Sequence, residues 1–401
     1  MHHRDYLLFW SGSLVSNIGT FLQATALLWF IKVSTGSNSW VAVVNFAYYI
    51  PVFLFILPAG YLADTLDRRR VVLACFVVML ITALALAVTK SLGAASMPVI
   101  LIIVFVNGTA YTFCLPAGNT LLPLLVSREE MLNALALTSA QYNIGRIIGP
   151  ALGALVVSAW SVAAAFYINA ASFVFVILAV ALVKTRFSPE TLDRVGMADH
   201  IRQGFRHVVE RRWMLAVLLG FGAATFFGFS ATVLYPAFAK DVLGRGAGAF
   251  GLILTMTGLG AVLGTPLVTL LDRRLAERSI IAGAVAGLGA FIMAFSFSRT
   301  YWLTCLLSLG IGCCYLMLGA CVNTVIQART LPGMRGRVTS YYSMMGLGMF
   351  PLGGLFLGFI ADRYSAPIAL HVGATACIVL ALLLFMLPGL TAGADSSLGI
   401  D

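Results

Sequence analysis

The chain has 401 residues, of which 60% are apolar and only 10% are charged, and its mean hydropathy is +0.97. A soluble domain carries about 25% charged residues to wet its surface, so this composition excludes one and points to a chain solvated by lipid. The net charge of +10 would suit a nucleic acid, but the arginines stand in short blocks between apolar runs, as membrane topology requires, and no nucleic-acid partner is expected.

Runs nearly free of charge fall at 6–31, 40–63, 71–89, 97–126, 131–159, 160–183, 213–239, 246–271, 279–298, 300–328, 338–361 and 364–390. In lipid only helices and closed barrels satisfy the backbone. The runs do not alternate with period two, and about 20 residues of helix cross a bilayer core. The expectation is an all-α membrane protein of twelve transmembrane helices. The least marked boundary is 159/160, where Ser158-Ala159-Trp160-Ser161 carries no charge. The first run follows Met1-His2-His3-Arg4 and is long enough to span, so it reads as a retained helix rather than a cleaved signal. The tail, 391–401, is short and polar and reads as flexible.

The basic residues set an orientation. With the N-terminus inside, eighteen of the 25 lysines and arginines fall on the inner side and six on the outer, leaving Arg146 within a span. That bias places both termini in the cytoplasm. The chain also repeats itself. Asn119-Thr120 in the fourth run recurs as Asn323-Thr324 in the tenth, and Leu66-Asp67-Arg68-Arg69 after the second as Leu271-Asp272-Arg273-Arg274 after the eighth. Two pseudo-symmetric six-helix halves are expected, 1–183 and 213–390, joined by a cytoplasmic linker at 184–212. In the linker Ile201, Phe205, Val208 and Val209 share a helical face against Arg202, Arg206 and Glu210, the pattern of a short helix on a membrane surface. Two six-helix halves around a midplane site suit transport by rocking one half against the other.

No enzyme chemistry is visible. The seven cysteines lie in apolar runs, where they act as small hydrophobes, and the five histidines are scattered. No metal spacing, nucleophile with a base, or P-loop occurs, so no catalytic residue, metal or cofactor is expected.

Gly60-Tyr61-Leu62-Ala63-Asp64-Thr65-Leu66-Asp67-Arg68-Arg69-Arg70 resembles the signature loop of the major facilitator superfamily. Thr65 and Asp67 replace its usual Arg and Gly. The resemblance implies a latch on the inner side that includes Asp67, with Gly60 allowing close helix approach, Asp64 facing a helix N-terminus, and Arg68 and Arg69 pairing with acids on neighbouring loops. Ser16-Asn17-Ile18-Gly19-Thr20-Phe21-Leu22-Gln23 and Asn143-Ile144-Gly145-Arg146-Ile147-Ile148-Gly149-Pro150-Ala151-Leu152-Gly153 are similar to the enterobactin-exporter-like branch of that superfamily, which includes macrolide efflux proteins. Within the fifth run Gly145, Gly149, Pro150 and Gly153 resemble the antiporter motif of drug exporters. Proline removes one helical hydrogen bond, and the glycines offer a flat packing face, for which Gly258, Gly260 and Gly264 of the eighth run are the expected partner.

Arg146 stands about 18 Å into its span at 1.5 Å per residue. A charge so deep faces a cavity or a partner by default. Tyr142 and Asn143 lie one turn earlier, and together they form the expected contact for an anionic or carbonyl-rich substrate group. The first run adds a polar stripe with Asn17, Thr20 and Gln23. The resemblance implies that the first, fourth, seventh and tenth spans line the cavity, which adds Asn107, Tyr111, Phe227, Tyr235 and Tyr315 as candidate substrate contacts. No acid lies at mid-span, so proton coupling is implied by the resemblance alone, and uniport or coupling through a substrate proton stays open. The expected function is secondary active export of a siderophore or similar metabolite across a bacterial inner membrane. The expected protein is a monomer contacting lipid and a small-molecule substrate. Multidrug or macrolide efflux and lysolipid flipping are the alternatives.

Overall fold

The computed structural model describes residues 2–121, 125–127, 129–183, 197–272 and 275–386. No strand occurs among them. Twelve helices are long and apolar enough to cross a membrane, in the order the hydropathy anticipates. The first six are α1 (His2–Thr35), α2 (Asn38–Thr65), α3 (Arg68–Ser91), α4 (Met97–Leu121), α5 (Met131–Ala159) and α6 (Val162–Leu182). The linker contributes α7 (Met197–Glu210). The remaining spans are α8 (Arg212–Val242), α9 (Ala247–Asp272), α10 (Glu277–Phe297), α11 (Tyr301–Arg329), α12 (Arg335–Arg363) and α13 (Ala366–Met386).

Local chemistry sets the helix ends. The uncharged 159/160 boundary is a real break, because Ser161 turns extended and its side chain accepts from the Ala164 N–H, an N-cap that lets α6 start afresh. Asp67 likewise caps α3, accepting from the Arg69 and Arg70 N–H groups at 3.0 and 3.3 Å. Gly36 and Gly93 close α1 and α3 with φ of 71°, a left-handed conformation that costs glycine little.

The chain divides into two compact units. One comprises Met1–Arg194 with Gly244–Thr255, the other Val195–Leu243 with Met256–Asp401. The first turns of α9 thus belong with the first unit. In that unit α1 packs on α5 and α6, α2 on α4, and α3 on α4 and α6. Its core includes Phe76 and Phe173, whose ring centroids are 6.3 Å apart. In the second unit α10 packs on α11 and α13.

Two spans of the second unit are irregular. The α8 span is α-helical over Arg212–Phe227, 3-10 over Phe229–Leu234 and π over Phe238–Val242. Pro236 cannot donate back to Thr232, which removes one rung of the ladder there. In α12 a π segment, Met344–Gly348, directly precedes Met349–Arg363 with its Pro351. By contrast α5 runs unbroken through Pro150.

The linker helix docks by one edge of the expected apolar face. It buries Gly204, His207 and Val208 and leaves Phe205 58% and Val209 42% exposed. Gly204 is the reason. A methyl group there would lie 3.0 Å from the Tyr341 ring, so the smallest residue meets α12, and Arg337 Nη1 donates to Gln203 Oε1 at 2.5 Å.

Candidate functional site

The fifth span organises the candidate site. Its glycine edge is buried, but against α1 rather than against Gly258, Gly260 and Gly264. A methyl group on Gly145 would come 3.0 Å from Asn17 Cβ, one on Gly149 2.9 Å from the Ile18 carbonyl oxygen, and one on Gly153 2.6 Å from that of Leu22. The glycines of α9 serve α11 instead: a methyl group on Gly260 would meet Cys313 N at 3.0 Å, and one on Gly264 Met317 N at 3.0 Å. What α5 offers α9 is its proline turn, where a Gly251 methyl group would stand 2.7 Å from the Pro150 oxygen and Thr255 Oγ1 donates to the Ile147 oxygen at 3.1 Å. Glycine spacing identifies a flat edge. It does not identify the neighbour, because backbone approach works against any chain that presents small atoms.

With that edge spent on α1, the adjacent face of α5 holds the polar groups. Tyr142 is 43% exposed and sets its ring edge-on to Phe21 at 5.5 Å. Asn143 Nδ2 donates to the Ser139 oxygen of its own helix at 3.0 Å. Arg146 is half-buried, as are Asn17 and Thr20 on α1.

Three expected substrate contacts face elsewhere. Gln23 is buried and its Oε1 accepts from Asn169 Nδ2 of α6 at 2.9 Å. Asn107 is buried and donates to Thr82 Oγ1 of α3 at 2.6 Å. Tyr235 is 1% exposed and stacks on Phe295 of α10 at 5.0 Å. In each case a polar or aromatic group in an apolar setting has found its partner on a packing helix, where an interhelical hydrogen bond contributes about 0.6 kcal/mol. The signal was legible in the partners, since Asn169 and Thr82 are mid-span polar residues.

The others are half-buried. Tyr111 lies beside Tyr48 of α2 at 5.7 Å. Phe227 packs on Phe226 at 4.8 Å and on Phe356 at 6.1 Å. Tyr315 belongs to a stack that residue spacing did not disclose. The rings of Tyr342, Phe221, Tyr315, Phe229 and Phe350 follow one another at 5.0, 6.0, 3.8 and 5.5 Å.

The signature loop is held in detail. Arg70 Nε lies 3.4 Å from Asp67 Oδ2. Arg69 spans to the end of α6, where Nε donates to the Val180 oxygen at 3.2 Å and Nη2 to the Ala181 oxygen at 2.6 Å. Its partners are therefore carbonyls in the last turn of a helix, where the backbone supplies few donors, rather than the loop acids expected. Arg68 is half-buried, and the side chain of Asp64 lies outside what the structure describes. Gly60 makes no close helix approach, since a methyl group there would meet nothing within 4 Å. The second unit repeats the arginine cap: Arg278 Nε donates to the Leu384 oxygen at 3.1 Å and Nη2 to that of Phe385. The sequence repeat aligns Arg69 with Arg274 instead, a residue outside those described. Arg329 Nη2 meets Glu277 Oε2 at 2.6 Å in the same unit.

Among the described residues no cluster of histidine, cysteine or acid side chains could hold a metal. The arrangement can bind and pass a solute, and it holds no group poised for covalent chemistry.

The pattern that defines the transmembrane secretion effector family matches residues 1–398. The chain belongs to that family of major facilitator transporters, and it is a membrane transporter of the efflux type, not an enzyme. It is similar to the staphyloferrin A transporter of Staphylococcus aureus, 25% identical over 89% of each chain. It is also similar to macrolide efflux protein A of Streptococcus pyogenes, 22% identical over 88% of each. The fold matches that of the nucleoside transporter NupG with a TM-score of 0.80 at 15% identity, covering 95% of this chain and 99% of that one.

Proposed function

We propose that this protein exports a siderophore or a similar small secondary metabolite across a bacterial cytoplasmic membrane by alternating access, with both termini in the cytoplasm. One observation carries the reading. Arg146 sits in the middle of α5, half-buried beside Tyr142 and Asn143, while the glycine edge of the same helix is closed against α1. A guanidinium kept at mid-membrane is costly unless it meets a partner or serves a polar path, and it marks a functional site by default. Its planar fork suits carboxylate or carbonyl oxygens. The likeness to the staphyloferrin A transporter and the inner-side excess of arginine support the cargo class and the orientation. Protons would have to travel on the cargo or on groups at the span ends, because the acids fall there: Asp67 caps α3, Glu277 opens α10, and Asp241 and Asp362 close α8 and α12.

The five-ring stack of the second unit favours a second reading, efflux of bulky amphipathic drugs, since aromatic walls with few polar anchors take such ligands.

The test is a clean gene deletion complemented with wild type or Arg146→Ala, with the metabolite assayed in the culture medium. Secretion should fall in the deletion, return with wild type, and stay at least about tenfold lower with Arg146→Ala, the equivalent of ~1.4 kcal/mol. Normal secretion from the deletion strain would sink the export reading. Wild-type secretion by Arg146→Ala would reduce the arginine to scaffold.

A further inference from the structure

The first unit holds a group of phenols that the polar stripe of α1 does not include. Tyr48 and Tyr49 stand side by side in α2, their rings 4.8 Å apart and edge to face. Tyr48 also meets Tyr111 of α4 at 5.7 Å. Gly108 explains that meeting. It brings the α4 backbone against the Tyr48 carbonyl, and Tyr111 follows one turn later on the same side. Tyr142 of α5 lies within electrostatic reach of both Tyr48 and Tyr111. Arg146 stands one turn further along α5.

All five residues fall in the middle of their spans. None is sealed into the core: the tyrosines are half-buried or, for Tyr142, exposed. One turn before the tyrosine pair, Asn45 is 91% buried by its 9% exposure, and its Oδ1 has no hydrogen-bond partner. Most buried polar atoms in folded proteins are satisfied, so a polar atom left open one turn from the tyrosine pair marks an unfinished polar site.

The chemistry of the group leans toward donors. Each phenol offers an O–H and the guanidinium offers five N–H donors, while Asn45 Oδ1 is an open acceptor that a hydroxyl of the ligand would fill. The spans that carry them, 38–63, 97–118 and 131–159, contain no Asp or Glu. A site rich in donors, carrying a positive charge and lacking acids, attracts oxygen acceptors bearing negative charge. In a low-dielectric setting it repels a cation strongly.

We propose that Tyr48, Tyr49, Tyr111 and Tyr142, with Arg146, form a binding site for an oxygen-rich organic anion, and that the site rejects organic cations. The proposal rests on the export reading for its cargo and deepens it to a substrate class. Tyr48 and Tyr49 are assigned here as specificity residues. The carboxylate or comparable anionic oxygen pairs with the guanidinium, and its hydroxyl and carbonyl oxygens take the phenol O–H groups.

The experiment is equilibrium binding to the purified full-length protein in detergent. One probe series comprises organic anions of increasing size, from citrate to di- and tri-catecholates. The other comprises tetraphenylphosphonium and erythromycin as cations. The wild type should bind at least one anion, and neither cation should compete with it. The double variant Y48F/Y49F keeps both rings and removes only two hydroxyls, so it should elute as a single folded species yet bind that anion about tenfold more weakly. Arg146→Ala should lose binding. Three results overturn the proposal: no anion of the series binds, a cation competes, or Y48F/Y49F binds as wild type. Equilibrium binding is blind to direction, so the two readings fail separately. A protein that binds these anions yet leaves secretion unchanged on deletion sinks export alone. An exporter whose cargo is cationic sinks this inference alone.

Discussion

The two six-helix units repeat their packing contacts and do not repeat their chemistry. Gly108 of α4 takes the Tyr48 carbonyl of α2, and some two hundred residues later Gly312 of α11 takes the Thr257 carbonyl of α9. Gly19 of α1 lies against Ser172 of α6, and Gly228 of α8 lies against Cys377 of α13. Gly149 packs on α1, and Gly353 of α12 packs on Phe226 of α8. Arg69 and Arg278 each cap the last carbonyls of the sixth span of their unit. Yet the first unit has unbroken α1 and α5 with mid-span phenols and Arg146. The second has 3-10 and π segments in α8 and α12, and a column of stacked rings. Small residues and caps are what a six-helix unit needs to close, so both copies retain them. Side chains at mid-span are free of that demand and have diverged. Among the described residues the 3-10 and π segments lie in the second unit, and mid-helix segments of this kind are where a helix departs most readily from its regular ladder.

The largest expected effect tests the shared contacts. Gly108→Val and Gly312→Val each drive a branched side chain into a carbonyl of the neighbouring helix, where no flexible group can yield. Overpacking in a tight core costs about 1–3 kcal/mol and at times more, and here backbone must move. Both variants should lose most of their monodisperse yield, to a similar degree, on size-exclusion chromatography. If one is tolerated and the other is not, the two contacts are not equivalent and the repeat is looser than the shared packing implies.

A smaller effect tests the caps. Arg69→Ala and Arg278→Ala each strip two charged donors from helix-end carbonyls. Such bonds contribute about 1.5–3 kcal/mol when shielded, and these half-buried ones about 1 kcal/mol after screening. Each should lower the thermal midpoint by a few degrees, and the double variant by the sum of the two, since the sites lie in separate units. Arg→Lys should restore only part, because a single ammonium cannot serve two carbonyls in a fixed fork. A midpoint unchanged by Arg278→Ala, with Arg69→Ala impaired, would break the comparison at this point.

Much of the scaffold was legible because it obeys one-dimensional rules. Hydropathy runs found twelve spans, and Ser161 as an N-cap turned the uncharged 159/160 boundary into a break. The repeat of Leu66-Asp67-Arg68-Arg69 announced two halves, although the arginine that does the capping in the second is Arg278, a few residues beyond the aligned one. Periodicity failed at side-chain direction. It placed Gln23 on the stripe of Asn17 and Thr20, but Gln23 lies far enough round the helix to meet Asn169. Asn107 and Tyr235 turned the same way, each toward a partner remote in sequence. The glycines of α5 showed a packing edge and left its neighbour open. Tyr111 and Tyr142 were legible as candidate contacts, but Tyr48 and Tyr49 were missed, because the group that joins them lies on three helices and no spacing along one chain segment reveals it.

The linker helix α7 is the one described element of the second unit with no counterpart in the first, so it offers the most delicate contrast. His207 is buried on the docked face, with Nε2 lacking a partner. Burial, and next the charge of Arg211, hold its pKa below the ordinary 6.5, while Glu210 pulls weakly the other way. Removing the imidazolium from water disfavours the charged form. Docking therefore binds fewer protons than the undocked helix. Its full strength is present above the undocked pKa, near 6.5, and is lost as the pH falls through the docked value. Hydrogen exchange, corrected for the intrinsic rate, should rise across 197–210 between about pH 7.5 and about pH 5.5, while α1–α6 change little. His207→Leu should hold the helix protected at both values. Equal protection of the wild-type helix at the two pH values would show that His207 keeps its proton balance on docking, and would leave the second unit no more sensitive to acid than the first.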